Sequence, residues 1–341
     1  MTAARLAPPS PERPWLVADI GGTNARFGLL EAPGARPARV ARLEGADHPD
    51  LAAAATAYLT GARAAGPPAA ACVAVAGPVT GDRVKLTNSA WDFSVDHTRR
   101  RLGMDHLEVV NDFAALAMAL PRLEEGDVVP LGGPPPRAED PKAVLGPGTG
   151  LGVAGLVPVP GGGWVPVSGE GGHVDVPAAT PRETAVVELL RAERATVTAE
   201  DLLSGPGLAR LHGALARLRG LPDPRRTAAQ ICADRRDPLC AETLEVFCDL
   251  LGGFAGNAAL TLGATGGVYL GGGILPRITA LVRASGLRRR FEEKPPMTDY
   301  LKGIATCLIV APDPALLGAA ARLEQCLDST AKETPDDPAQ Q

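Results

Sequence analysis

Asn111 and Asp112 follow the apolar run 107–110 and lead into a helix-compatible stretch at 114–120. A carboxylate at the end of a buried strand stands where open α/β sheets place their ligands, and there it can accept a proton from a substrate hydroxyl. Aspartate near a helix start also serves as a plain cap, so this pattern alone leaves both readings open. A second group, Ser168-Gly169-Glu170-Gly171-Gly172-His173-Val174-Asp175, sets glycines on both sides of Glu170. That freedom lets Glu170 and His173 converge on one small polar target. A sugar is such a target, because charged acceptors hold adjacent hydroxyls and a hydrogen-bonding site rejects analogues that lack them. One histidine with two carboxylates can also take a metal, and a solvated loop needs no ligand. Glu200 lies in Thr198-Ala199-Glu200-Asp201, a capping-box pattern that explains an acid in a first helical turn without any ligand.

Two glycine-rich turns of one build accompany these groups: Ala-Asp-Ile-Gly-Gly-Thr at 18–23 and Gly-Pro-Gly-Thr-Gly-Leu-Gly at 146–152. Each lies between two apolar runs, 16–20 and 26–30 for the first, 143–145 and 153–157 for the second, so each reads as a hairpin tip. Glycine admits positive φ and brings bare N–H groups close to a ligand, and threonine adds a hydroxyl, so such tips can hold phosphate oxygens. A Walker loop needs Gly-Lys-Ser/Thr ahead of a helix, and neither turn has a lysine. The dinucleotide fingerprint runs strand, turn, helix, whereas these run strand, turn, strand.

The elements that position these groups fall into two similar sets. The first 120 residues predict a strand hairpin, a helix over about 49–65, a strand at 71–76, a short hairpin through Gly81-Asp82, a helix near 96–102 and a strand at 107–110. From about residue 143 a second hairpin opens, followed by helices at about 180–194, 207–219, 227–233 and 238–263. A strand at 267–270 then enters the turn Gly271-Gly272-Gly273 and a further helix. The echo of one glycine-tipped hairpin in the other predicts a duplicated α/β core with a cleft between the halves. The Pro-rich stretch 132–141 reads as a surface loop.

With 341 residues the chain accommodates two domains with full cores. Its formal charge of −5 and its dispersed lysines and arginines give no electrostatic footprint for nucleic acid. The first 14 residues, with four prolines and no apolar core of signal-peptide length, read as a disordered lead-in, and a cytoplasmic protein is expected. The uncharged stretch 254–276 is long enough for a bilayer, but its seven glycines with Asn257, Thr261 and Thr265 argue against a membrane span. Six cysteines are scattered without a C-x-x-C pair or a nearby histidine set, so neither a zinc framework nor disulfides are expected.

Ala-Asp-Ile-Gly-Gly-Thr-Asn-Ala-Arg, Val-Asn-Asp-Phe, Gly-Thr-Gly-Leu-Gly and Gly-Glu-Gly-Gly-His-Val-Asp together resemble the bacterial glucokinase family. The likeness extends to Leu-Thr-Asn-Ser-Ala-Trp at 86–91, the segment 197–207 and Gly-Gly-Val-Tyr-Leu-Gly-Gly-Gly-Ile at 266–274, covering roughly residues 15–328. The resemblance implies an α/β fold of duplicated ribonuclease-H-like (actin-like ATPase) domains with a cleft between them. Its boundaries are a small domain of 15–121 plus about 312–328 and a large one of 122–311, with a disordered tail at 329–341. It implies ATP and Mg²⁺ as cofactors, D-glucose as substrate, Asp112 as general base, and sugar contacts at Asn88, Asn111, Asp112, Glu170, His173 and Glu200. ATP contacts fall on Asp19, Gly21, Gly22, Thr23, Asn24, Gly148, Thr149, Gly150, Gly271, Gly272 and Gly273, with Asp19 holding the metal through water. A homodimer is implied as well. The departures are a longer N-terminus, Pro147 inside the second turn and the Pro-rich loop before it. The cysteine-rich zinc motif of the related repressor-and-kinase group does not accompany His173. A kinase for another hexose and a non-catalytic sugar sensor are the alternatives, and the first 15 residues are too short for a DNA-binding helix-turn-helix.

Overall fold

The structure, a computed structural model, describes residues 6–86, 90–223 and 225–332, with side chains through Asp328. The chain forms two compact units, one made of the residues through Arg122 together with those from Asp313 on, the other of Leu123–Pro312. It begins with β1 (Trp15–Ile20), β2 (Asn24–Leu30), β3 (Ala38–Glu44), α1 (Leu51–Gly61) and β4 (Ala70–Val75). There follow β5 (Arg83–Lys85), β6 (Asp92–Ser94), α2 (Val95–Arg101), β7 (His106–Asn111) and α3 (Asp112–Ala119). The second unit contains β8 (Val128–Gly132), β9 (Lys142–Pro147), β10 (Leu151–Pro158), β11 (Trp164–Gly169), α4 (Pro181–Arg191), α5 (Gly205–Leu218), α6 (Ala228–Ala233) and α7 (Pro238–Leu262). It closes with β12 (Gly267–Leu270), α8 (Thr279–Ala284), α9 (Leu287–Glu292), α10 (Thr298–Lys302) and β13 (Thr306–Ile309), after which α11 (Pro314–Lys332) belongs to the first unit.

The first sheet has the order β3-β2-β1-β4-β7, antiparallel across the first three strands and parallel from β1 to β4 to β7. The second repeats that scheme as β11-β10-β9-β12-β13 and adds β8 antiparallel at the far edge. The alternation of side chains along each strand explains how both faces of the first sheet are covered. Leu16, Ala18 and Ile20 point into one core with Val73 and Tyr58, whereas Trp15 and Val17 point into the other with Leu316, Ala319 and Leu323 of α11. In the second unit one large core gathers β9, β12, α5 and α7. The long helix α7 starts where Asp237 accepts the N–H groups of Leu239 and Cys240, and it stops at Gly263 in the left-handed conformation.

Several expectations are corrected. Residues 6–14 are part of the fold: Leu6 is buried in the core under α11, and the Trp15 indole donates to the carbonyl of Ala7. The tail expected to be disordered from 329 continues α11 to Lys332. The short hairpin is not tipped at Gly81-Asp82; its strands are β5 and β6, joined through 86–91. The strands β3, β8, β11 and β13 have no counterpart in the sequence reading. All six cysteines are reduced thiols, five of them buried. Among the described residues, no helix is long and apolar enough to cross a membrane.

Candidate active site

In the first unit, Ile20, Val75 and Asn111 are level with one another in the parallel register of β1, β4 and β7. The chain therefore leaves the same end of the sheet twice, at the first glycine turn after β1 and at Asn111-Asp112 after β7, two strand spacings or about 10 Å apart. The tip is closed by the Gly21 N–H donating to the Asn24 carbonyl at 2.9 Å, and Gly21, Gly22 and Thr23 are exposed. Hairpin register sets Arg26 opposite Asp19, and its guanidinium bridges Asp19 Oδ2 and Asp313 Oδ1, each at 3.1 Å. Burial pushes the Asp19 carboxyl above its usual range, opposed by Arg26 and reinforced by the charge of Asp313.

Asn111 is the cap of α3: its Oδ1 accepts the N–H groups of Phe113 at 2.9 Å and Ala114 at 3.1 Å, and its Nδ2 donates to the Gly77 carbonyl at 3.2 Å. Asp112 is the first helical residue, and its Oδ1 accepts the Phe113 N–H at 2.9 Å. Behind it, α11 crosses α3 so closely that a Cβ on Gly318 would lie 1.6 Å from the Ala115 carbonyl oxygen. Asn88 lies outside the described residues.

In the second unit four predicted groups come together around the second turn. Glu200 Oε2 accepts the Leu151 N–H at 2.8 Å, and the Glu200 N–H donates to the Gly172 carbonyl at 2.8 Å. Glycine is required at Gly172, where a Cβ would sit 2.2 Å from the Leu151 carbonyl oxygen, while a Cβ at Gly150, 2.4 Å from Glu200 Oε2, would push that carboxylate aside. Loop 170–173 is thus pressed onto the start of β10, with the exposed carboxylate of Glu170 4.0 Å from His173 Nε2. The third turn joins through the Gly271 N–H, which donates to the Leu145 carbonyl at 2.7 Å. Among the described residues of the three turns, Gly272 takes positive φ, 82°, and its missing side chain makes room for the Pro147 carbonyl oxygen 2.4 Å from where a Cβ would be.

The capping-box reading of Glu200 is overturned. Thr198 and Asp201 do bond reciprocally, but within a turn, and the helix begins only at Gly205, capped by Ser204. The Glu200 carboxylate therefore faces the glycine turn and caps no helix. Sequence reasoning also missed that α5 starts at this turn, its first N–H bonding the Gly148 carbonyl at 2.7 Å, which brings the positive end of a helix to the predicted phosphate tip. It missed Arg26 as the partner of Asp19, although the pairing follows from counting outward from the hairpin tip. Asp313 is 294 positions from Asp19, and no spacing announces it. It missed, too, a pocket of about 270 Å³ beside the third turn, lined by Ala229, Cys232, Gly273 and Ile274 with Arg235 and Arg277 at hand. An apolar slot edged by two guanidinium groups suits a flat base carrying phosphates.

The family model described as Glucokinase matches residues 16–326. The glucokinase of Aromatoleum aromaticum is 48% identical over 317 residues, covering 92% of this chain and 96% of the relative. The crystal structure of a glucokinase from an Antarctic psychrotroph superposes with a TM-score of 0.84 at 38% identity, covering 92% of this chain and 99% of the other. A glucokinase of Streptomyces griseus solved with glucose and AMPPNP shares the fold, with a TM-score of 0.60 at 19% identity over 92% of this chain and 99% of its own. These sugar-kinase neighbours have the actin-like ATPase fold, and by its motifs, its sheets and its relatives the chain belongs to the glucokinase family.

Proposed function

We propose that the protein transfers the γ-phosphoryl group of ATP to the 6-hydroxyl of D-glucose, with Asp112 accepting the hydroxyl proton. The observation that carries this reading is the set of contacts along the β9–β10 hairpin, where Glu200 and loop 170–173 meet Leu151 beside the second turn and the third turn bonds the Leu145 carbonyl. Such sharing couples the groups expected to grip the sugar to those expected to grip the phosphates. Asn111, Glu170, His173 and Glu200 hold the glucose hydroxyls, joined by Asn88. Asp19, Gly21–Asn24, Gly148–Gly150 and Gly271–Gly273 hold ATP. The pairing scheme that recurs in both sheets supports a duplicated ribonuclease-H-like core. The reaction takes place in the cytoplasm, in a homodimer.

Asp19 and Asp313 offer the hard oxygen donors that suit Mg²⁺, and Arg26 fixes the orientation of both carboxylates. When bound, Mg²⁺ supplies charge neutralisation on the transferring phosphate; the chain's own share is to position and to move a proton. Asp112 takes the proton as the sugar oxygen attacks phosphorus in line, which is worth roughly 10² to 10⁴ in rate. Turn N–H groups and the start of α5 orient the phosphate oxygens.

The direct test is steady-state phosphorylation with Mg-ATP across glucose, mannose, fructose, galactose and N-acetylglucosamine. Strong preference for glucose is expected; sugar binding without turnover would make the protein a sensor.

Two substitutions separate the ligands. Glu200→Gln keeps an acceptor for the Leu151 N–H but loses the carboxylate charge, so KM for glucose should rise about 10- to 100-fold, the value of a charged hydrogen bond. An unchanged KM would leave Glu200 as a prop for the turn alone. Ala229→Trp fills the pocket beside the third turn from an exposed position on α6. KM for ATP should rise by about tenfold or more with KM for glucose little changed, the mark of lost donor binding. Equal effects on both, or none, would remove the pocket from the nucleotide site.

A further inference from the structure

Away from these groups, at the opposite end of β7 from Asp112, the structure assembles three donors of different chemistry. His106 and Glu108 are two residues apart on β7 and share a face of the strand, while Cys326 comes from α11, 218 positions later. Glu108 Oε2 lies 3.5 Å from Cys326 Sγ and 4.0 Å from His106 Nε2, and one donor atom of each residue lies within 4.8 Å of the other two. His106 Nε2 is buried and makes no hydrogen bond, and burial disfavours the protonated ring.

We propose that His106 Nε2, Glu108 Oε2 and Cys326 Sγ form a site for a zinc-class divalent cation that clamps α11 to β7. The donor set selects the class. Imidazole nitrogen, sulfur and carboxylate oxygen are zinc ligands at about 2.0–2.3 Å, whereas Mg²⁺ and Ca²⁺ avoid sulfur. The Oε2–Sγ separation of 3.5 Å already matches a tetrahedral edge of about 3.3 to 3.6 Å, and the His106 ring, 4.0 Å from Oε2, must swing inward by roughly 1 Å to complete the set. Binding forms the sulfur–metal bond as the thiol proton leaves to solvent, with no change of oxidation state, and water fills the fourth position. Arg322 holds Glu108 Oε1 from Nη2 at 2.8 Å and from Nε at 2.9 Å, and its Nε also reaches Oε2 at 3.0 Å; on metal binding the guanidinium keeps Oε1 and orients the carboxylate while Oε2 exchanges that shared contact for the metal.

The competing account is an ion pair of Glu108 and Arg322 with the thiol donating to the carboxylate, and it predicts no metal binding. Titration of the full-length, reduced and chelator-treated protein with Co²⁺ distinguishes them. One equivalent should bind, with the near-ultraviolet sulfur-to-cobalt absorption and intense visible bands of a tetrahedral site, and Zn²⁺ should displace it. Cys326→Ser should abolish the sulfur band, and His106→Gln should weaken binding by about tenfold or more. Zn²⁺ should raise Tm of the wild-type chain but not of Cys326→Ser, whose kinase activity confirms that it is folded. Absence of the sulfur band, or its persistence in Cys326→Ser, overturns the proposal.

Discussion

Asp112→Asn should lower kcat by roughly 10² to 10⁴, about 2.7 to 5.5 kcal/mol of barrier, while KM for glucose stays within a few-fold. The separation is sharp because the neighbouring groups divide the labour. Asn111 caps α3 and is untouched, and an asparagine at 112 still offers an oxygen to the Phe113 N–H. What is lost is a site for the proton, together with a helix-end charge interaction of about 0.3 to 1 kcal/mol. Steady-state kinetics with calorimetric glucose binding checks both halves. Turnover within threefold of the wild type would strip Asp112 of its role as base.

Gly172→Ala is expected to cost about 10² or more in kcat/KM for glucose. The added Cβ falls 2.2 Å from a backbone oxygen, which no rotamer change relieves, so loop 170–173 must move away from Leu151. That loop aims Glu170 and His173, its carbonyl receives the Glu200 N–H, and displacement of about 1 Å in positioning groups is enough for such a loss. Overpacking adds about 1 to 3 kcal/mol of destabilisation, read as a lower Tm. Gly169→Ala is the control, since nothing lies within 4 Å of its added Cβ, and it should be nearly silent. If the two variants behave alike, packing against Leu151 does not aim the loop.

How much of this was legible depends on where each signal lives. Glycine turns, the strand-to-helix step at 111–112 and the long helix from Pro238 leave local signatures, and they stand where the pattern puts them. Edge strands leave weak ones: β3 is largely exposed and alternates without an apolar run, while β11 carries Pro166, and edges tolerate what centres do not. Glu200 was misread because its local pattern is that of a cap, while its actual partner is 49 positions upstream. The Asp19–Arg26–Asp313 bridge was half legible, since hairpin register gives the first pair and only the closed chain gives the third member.

The crossing of α11 over α3 has a consequence for how the molecule is made. The unit synthesised first cannot be completed first: β1 and β4 present Trp15, Val17 and Cys72 to residues of α11 that leave the ribosome only after the entire second unit. The continuous second unit has all its strands before α11 is translated, so it is the part able to fold on the nascent chain. Gly318, seated against the Ala115 carbonyl, arrives only after the whole second unit has been made, and only with it does the helix that starts at Asp112 acquire its backing.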